Sequence, residues 1–220
     1  MTDSPLVLGF DTSGPYVSAV LLHGTRVLSD LYEDMTRGQG EALFPLLEDL
    51  LERGGSGWHD LDVIGVGTGP GNFTGIRISV SAARGLALSL NIPAVGVSLL
   101  EAVALEAQGP VLSCLSAPRD QAYLQGYNTM TDIPAQFLAI NDVPPGWAES
   151  GLTCIGSAAD QVAARLGTTT APAAYAPGSA VARLASQRWQ GSPPSPAPLY
   201  LKPADAAPSR DAPPVILDDI

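Results

Sequence analysis

Short apolar runs open the chain and predict three β-strands, at residues 5–10, 16–22 and 25–32. Turn residues separate these runs, with a Ser-Gly-Pro sequence at 13–15 and a His-Gly pair at 23–24. Strands joined by such short turns predict an antiparallel meander at the start of the fold.

From residue 39 onward, apolar residues recur at the spacing of a helix and no longer at that of a strand. Leucines recur at helical spacing between Gln39 and Arg53 and predict an amphipathic helix, with Pro45 in its first two turns. A strand at 62–66, a glycine-rich turn, a helix at 75–90, a strand at 94–97 and a helix at 98–107 follow. A meander followed by alternating helices and parallel strands predicts a mixed α/β layer.

The pattern starts again after residue 110, which predicts a second lobe. Strands are expected at 111–116, 121–128 and 152–155, and helices at 158–166 and 179–190. The sequence therefore predicts an N-terminal lobe at 1–108, a smaller lobe at 109–191 and a C-terminal segment at 192–220. Eight prolines between residues 192 and 214 predict that this last segment leaves the core as an extended or disordered tail.

The glycine-rich turn is the most informative feature, because it joins a strand directly to a helix. Four glycines and one proline fall between Gly67 and Gly75. Backbone N–H groups at such a helix start can hold a phosphate, or they can be capped while the helix meets another protein. Asn72 or Thr74 can supply the cap. The turn lacks the Gly-Lys-Ser/Thr end of a Walker A loop, and no acidic residue follows at the distance that would bind a ribose.

A second candidate is the sequence Asp11-Thr12-Ser13, which lies in the turn between the first two predicted strands. A carboxylate followed by hydroxyls in this position is how actin-like ATPases begin their first phosphate loop. The alternative interpretation is an Asx-type turn, in which Asp11 or Ser13 satisfies local backbone donors.

The charge and the content of lysine, histidine and cysteine argue against several classes of function. The formal net charge is -11, and Lys202 is the only lysine, which argues against autonomous binding to nucleic acid. His23 and His59 are far apart, so no metal-site spacing is present. Cys114 and Cys154 are interpreted as buried free thiols, ahead of a disulfide or a catalytic role. No membrane-spanning run or signal peptide is recognised, and we expect a cytoplasmic protein.

The residues also resemble a known family. The runs LVLGFDTSG, QGEALFPLLEDLL, GPGNFTGIRIS and PLYLKPADA are similar to those of the TsaB (YeaZ) family, densely over residues 5–107 and again near 198–206. The motif within the third run consists of Gly69, Pro70, Gly71, Phe73, Thr74, Gly75 and Arg77. The resemblance implies an actin-like (ASKHA) two-lobed α/β fold with ribonuclease H-like mixed sheets and flanking helices.

The resemblance further implies a noncatalytic subunit that dimerises with TsaD, which carries the metal and transfers the threonylcarbamoyl group to tRNA. TsaE joins the same assembly. A self-associating module, whose helices pair with a second copy of the chain in a homodimer when TsaD is absent, is a further alternative, because an apolar helix face needs cover in water. The implied interface lies on the helices at 39–53 and 75–90. Its candidate residues are Leu43, Leu47, Ile76, Ser79, Val80, Ala83 and Ala87. The small side chains of the second helix can equally pack on the chain's own sheet.

Two departures from the family pattern concern nucleotide binding. Gln39 and Gly40 replace a histidine and a serine at the start of the first helix, and Ser116 stands where an acidic residue is usual. We therefore expect no cofactor and no metal, with ATP at most a weak ligand of the Asp11-Thr12-Ser13 loop. The alternatives to a scaffold are an actin-like ATPase and a glycoprotease-like peptidase.

Overall fold

The computed structural model describes residues 4–202 and organises them around two five-stranded sheets. The first sheet contains β1 (Leu6–Asp11), β2 (Tyr16–His23), β3 (Arg26–Asp34), β4 (Val63–Gly67) and β5 (Ala94–Val97), in the order β3-β2-β1-β4-β5. Strands β1, β2 and β3 are antiparallel, whereas β4 and β5 run parallel to β1. The predicted meander and the predicted mixed layer are both confirmed.

Helices cover both faces of this sheet, which explains why all of β1 is buried. On one face, α1 (Gln39–Arg53) and α2 (Phe73–Leu90) pack on Leu8 and Phe10. Val7 points to the opposite face, as the period of two residues in a strand requires. Helix α1 has the predicted bounds, and α2 begins two residues before the predicted start at residue 75.

The second sheet has the same topology as the first. It contains β6 (Val111–Ala117), β7 (Gln121–Tyr127), β8 (Gln136–Ala139), β9 (Thr153–Ile155) and β10 (Thr169–Ala171), in the order β10-β9-β6-β7-β8. Here β6, β7 and β8 are antiparallel, and β9 and β10 run parallel to β6. Helix α4 (Ala159–Leu166) packs on this sheet. Strands β8 and β10 were not predicted, because they are short and no residue in them is fully buried.

The last helix, α5 (Pro177–Arg188), corrects the predicted lobe boundaries. The sequence assigned it to the lobe at 109–191, but α5 returns to the first sheet and covers the second face together with α3 (Leu99–Ala104). Gly9 makes this packing close, because a Cβ there would lie 2.6 Å from Cβ of Ala182. The two lobes are therefore not two consecutive stretches of the chain, because α5 follows the second sheet in sequence but packs on the first.

The segment after α5 also differs from its prediction. Residues 192–202 have no helix or strand, as expected, but they do not leave the core. Pro196 is buried, and the amide of Leu199 donates a hydrogen bond of 2.8 Å to the carbonyl oxygen of Thr68. We call residues 196–202 the C-terminal strap. The rest of the predicted proline-rich tail, residues 203–220, lies outside the described residues.

Candidate functional site

The glycine-rich turn connects β4 to α2, and its glycines allow backbone segments to touch. Gly69 has φ 91°, a conformation that L side chains rarely adopt, and it precedes a cis peptide bond to Pro70. A Cβ on Gly71 would lie 2.4 Å from the carbonyl oxygen of Ser13, and one on Gly75 would lie 2.0 Å from that of Thr12. The glycines at 71 and 75 therefore serve the packing of the β1–β2 turn against the start of α2.

Three amide groups at the start of α2, those of Asn72, Thr74 and Gly75, are satisfied from within the chain. The Asn72 side-chain oxygen accepts hydrogen bonds from the amides of Thr74 and Gly75 at 2.9 and 3.0 Å. The amide of Asn72 itself donates to the carbonyl oxygen of Ser13 at 2.7 Å. Of the two predicted caps, Asn72 is therefore the one used. These donors are not directed at a bound anion, although a helix start is well suited to one.

The Asp11-Thr12-Ser13 sequence forms a closed turn beside this helix. One carboxylate oxygen of Asp11 accepts from the amide and the hydroxyl of Ser13, at 3.2 and 2.9 Å. The Thr12 hydroxyl donates to the carbonyl oxygen of Gly75 at 2.7 Å. This is the geometry of the Asx-type turn, the second of the two interpretations that the sequence allowed.

Asp11 is fully buried, and its environment changes its acidity. Burial raises its pKa to about 6, and interactions with the Tyr16 hydroxyl and with Ser13 oppose that rise. The second carboxylate oxygen has no hydrogen-bond partner within residues 4–202, and a Cβ on Gly67 would lie 2.1 Å from it. The Asp11 carboxylate is therefore enclosed by the fold and lies against Gly67, the last residue of β4.

A cavity of about 710 Å³ lies between the two lobes, next to this turn. Its lining includes Ser13, Gln39, Phe73, Ser116, Tyr123 and Tyr200. Asp11 does not line it. Two of the three residues that depart from the family pattern are engaged locally, since the Gln39 side-chain amide donates to the carbonyl oxygen of Gly14 and the Ser116 hydroxyl meets that of Ser157 at 3.0 Å.

Residues 4–202 contain no group of three His, Cys, Asp or Glu side chains arranged to hold a metal ion. The same part of the chain has no helix with both the length and the apolar character that a bilayer crossing requires.

An exposed aromatic cluster joins α2 to the C-terminal strap. The Arg77 guanidinium lies 3.8 Å from the centre of the Phe73 ring, and its Nε donates to the Tyr200 hydroxyl at 3.0 Å. The rings of Phe73 and Tyr200 are 5.1 Å apart. Phe73 and Arg77 belong to the predicted motif, but their pairing with Tyr200 was not predicted. The resemblance of the 198–206 run was the one signal in the sequence that pointed to it.

The predicted interface residues are mostly inside the protein. Leu43, Leu47, Ile76, Ser79, Val80 and Ala83 are all buried, and Ala87 is half-buried. Ser79, for example, donates to the carbonyl oxygen of Gly67 at 3.2 Å. The prediction of these six as contact residues is corrected, because their side chains already pack within the first lobe. The outer faces of α1 and α2 instead expose Phe44 and Leu88.

Comparisons with known proteins agree with the resemblance. A family model described as TsaD, tRNA N6-adenosine threonylcarbamoyltransferase, matches residues 33–196. An uncharacterised protein of Mycobacterium tuberculosis is 30% identical over 205 residues, which cover 92% of this chain and 94% of the relative. The tRNA threonylcarbamoyladenosine biosynthesis protein TsaB of Escherichia coli is 34% identical over 98 residues, which cover 44% of this chain and 42% of the relative.

Among solved structures, YeaZ from Pseudomonas aeruginosa has a TM-score of 0.72 and 27% identity, and the match covers 90% of this chain and 100% of that chain. The chain belongs to the TsaB/YeaZ family. Component A of (R)-2-hydroxyglutaryl-CoA dehydratase from Acidaminococcus fermentans has a TM-score of 0.53 at 10% identity over 85% of this chain, which concerns the fold alone. The predicted actin-like α/β fold of this TsaB/YeaZ member is confirmed.

Proposed function

We propose that this chain acts in the biosynthesis of threonylcarbamoyladenosine in tRNA as a noncatalytic subunit that dimerises with a TsaD-type transferase. Relatives that carry the name TsaB, and the match to the TsaD family model, support the pathway and the partner class. In this proposal TsaD performs the transfer, and TsaE joins the same assembly.

The observation that carries the noncatalytic role is the capped start of α2. Asn72 accepts from the amides of both Thr74 and Gly75, and the Thr12 and Ser13 carbonyl oxygens lie directly against the glycines of the turn. A phosphate loop needs such amides to point at the ligand. In this chain the motif instead fixes the position of α2, which fits a helix that is presented to a partner.

The proposed contact surface consists of the outer faces of α1 and α2. The two helices lie side by side. The evidence is the distance between Gly40 on α1 and Ile78 on α2, since a Cβ on Gly40 would be 3.6 Å from Cδ1 of Ile78. Leu88 on α2 is 85% exposed and Phe44 on α1 is 44% exposed. Large apolar side chains in water favour burial against another protein. A second copy of the chain can occupy the same surface when TsaD is absent.

The formal net charge of -11 supports a further element of the proposal, that the chain does not bind tRNA by itself. Phosphate neutralisation by Lys and Arg provides most of the affinity of proteins for nucleic acids. In the assembly, contacts to tRNA are therefore left to the partner subunits.

Reconstitution tests the proposal. TsaD, TsaE, unmodified tRNA and the activated threonylcarbamoyl donor are incubated with or without the chain, and the modified nucleoside is measured by mass spectrometry. We expect product only when both TsaD and the chain are present, and none from the chain alone. Product at full rate without the chain contradicts the scaffold role, and product from the chain alone contradicts its noncatalytic status.

A further inference from the structure

The end of the C-terminal strap forms one side of the cavity between the lobes. Residues 199–202 all belong to the lining of that cavity. Two hydrogen bonds hold the strap there, one from the Leu199 amide to the carbonyl oxygen of Thr68 at 2.8 Å and one from Nε of Arg77 to the Tyr200 hydroxyl at 3.0 Å. The chain beyond the strap therefore continues from the wall of the cavity itself.

The cavity presents large apolar side chains that the described residues leave partly uncovered. Its lining includes Phe73, Ile76, Tyr123 and Tyr200. Phe73 is 53% exposed and Tyr200 is 46% exposed. The volume of about 710 Å³ lies in the range of sites that enclose a drug-sized ligand. An apolar occupant would remove the two exposed rings from water, which is favourable.

The charge of the cavity differs from that of the whole chain. The formal net charge of the chain is -11, yet the lining residues found among 4–202 include no Asp or Glu, and Lys202 is their one charged member. Arg77 lies beside them, in contact with the rings of Phe73 and Tyr200. An occupant with an apolar centre and acidic neighbours therefore matches the cavity in charge.

The chain contains a segment of this kind just beyond the strap. Val215, Ile216 and Leu217 are consecutive, and Asp218 and Asp219 follow them directly. No other run of three large apolar residues occurs in the sequence after the strap. Twelve residues separate this run from the end of the strap, and they can span up to about 40 Å. That length is enough for the run to return to the cavity.

We propose that residues 215–217 of this chain occupy the cavity between its own lobes, with their apolar side chains against Phe73 and Tyr200 and the two following aspartates near Lys202. Tethering favours this occupant over a free ligand, since a segment on a short linker has an effective concentration of about millimolar. The cavity beside the Asp11-Thr12-Ser13 turn is then filled from within the chain, whatever protein covers α1 and α2.

Nuclear magnetic resonance of the full wild-type chain tests this proposal directly. Isoleucine methyl groups and aromatic rings are labelled, and nuclear Overhauser effects from the Ile216 methyl groups are recorded. We expect contacts to ring protons of Phe73 and Tyr200, and ring currents that move the Ile216 methyl resonance away from that of a solvent-exposed isoleucine. An Ile216 methyl group without ring contacts would overturn the proposal.

The same spectra distinguish other occupants of the cavity. In a mixture of labelled and unlabelled chains, ring contacts that arise between molecules would show that a second copy supplies the segment. Addition of ATP with Mg²⁺ that shifts the ring resonances of Phe73 and Tyr200, but not the Ile216 methyl resonance, would show that the cavity is open to a nucleotide. Either result would overturn the proposal.

A labelled peptide of residues 209–220 provides a second measurement, by fluorescence anisotropy. Ile216→Asp places a charge within the apolar run, and Ala206→Asp adds the same charge outside it as the matched control. We expect the peptide to bind the Ile216→Asp chain at least about tenfold more tightly than the wild-type or Ala206→Asp chain, because the tethered segment no longer competes. Equal affinity for the three chains, or no binding to any of them, would contradict the proposal.

A further substitution in the Ile216→Asp chain locates the peptide. Phe73→Ala removes one ring from the cavity wall, and Phe44→Ala removes an exposed ring of α1 that is outside the lining. We expect Phe73→Ala to weaken peptide binding at least about tenfold and Phe44→Ala to leave it unchanged. Equal effects of the two substitutions would place the peptide outside the cavity. Circular dichroism checks that both variants are folded, and the wild-type spectra do not depend on them.

Discussion

Gly75 and Thr12 approach so closely that a Cβ on Gly75 would lie 2.0 Å from the carbonyl oxygen of Thr12. Both groups belong to the backbone, so no side chain can rotate away to make room. We therefore expect Gly75→Ala to lower the free energy of unfolding by about 3 kcal/mol, since overpacking at a rigid contact is costly. Urea unfolding followed by circular dichroism measures the change.

Gly85 in the same helix provides the matched control for this substitution. A Cβ there would have no atom within 4 Å, and alanine favours a helix over glycine by about 1 kcal/mol. We expect Gly85→Ala to be neutral or slightly stabilising. Equal effects at the two positions would mean that the contact with Thr12 does not constrain residue 75.

Capping by Asn72 is a separate prediction. Its side-chain oxygen accepts from the amides of Thr74 and Gly75, and alanine cannot replace that acceptor. We expect Asn72→Ala to lower the free energy of unfolding by about 1 kcal/mol. Asn72→Asp keeps an acceptor at this position and should retain most of the stability in the same urea titration. A neutral Asn72→Ala would show that the helix start gains nothing from the cap.

The buried carboxyl of Asp11 predicts a dependence of stability on pH. Its pKa is about 6 in the folded chain and 3.8 in the unfolded reference, so the folded state binds the proton more tightly. The contribution of this group to stability is therefore fully present below pH 3.8 and is lost as the pH rises through 6. The loss is about 3 kcal/mol, at 1.36 kcal/mol per pKa unit.

Asp11→Asn removes this titration and preserves an Asx-type acceptor. The difference in unfolding free energy between the variant and the wild type should shift in favour of the variant between pH 4 and pH 7, as measured by urea unfolding at each pH. Asp132→Asn, at an exposed position, is the control for the loss of one charge. A difference for Asp11→Asn that does not change with pH would contradict the raised pKa.

The proposed partner surface predicts that a charge at Leu88 weakens association with TsaD. Leu88 is 85% exposed, so Leu88→Glu should leave the folded chain intact while placing a carboxylate in the proposed contact. We expect binding to weaken at least about tenfold, or about 1.4 kcal/mol, by isothermal titration calorimetry. Met130→Glu is the matched control, because Met130 is 91% exposed on the second lobe. Equal affinities of the two variants would place the contact elsewhere.

The cavity between the lobes leads to a prediction about nucleotides. The amides of Thr74 and Gly75 at the start of α2 are already bonded to Asn72, and Asp11 is outside the cavity lining. We expect titration of the isolated chain with ATP and Mg²⁺ to give no micromolar binding in calorimetry. Micromolar affinity together with turnover would favour the actin-like ATPase alternative.

Features that depend on neighbouring residues were predicted from the sequence with good accuracy. The leucine spacing between Gln39 and Arg53 predicted α1 with its observed bounds, and Asn72 was one of two predicted caps of α2. These features follow from hydrogen bonds and side chains within a few positions of each other, which a single pass along the chain can recognise. By contrast, β10 has only three residues and no buried one, so it left no periodic signal.

The amino-acid sequence alone determined the period of each main helix and strand, the α/β class, the turn residues and the acidic charge, because each is a property of local spacing or composition. Only the tertiary structure decided which other part of the chain each helix face packs against. Small residues such as Ser79 and Ala83 suit a foreign helix and the chain's own sheet equally well, and the fold placed them on its own sheet. The return of α5 to the first sheet and the contact between the rings of Tyr200 and Phe73 also join distant parts of the chain, so local spacing cannot encode them.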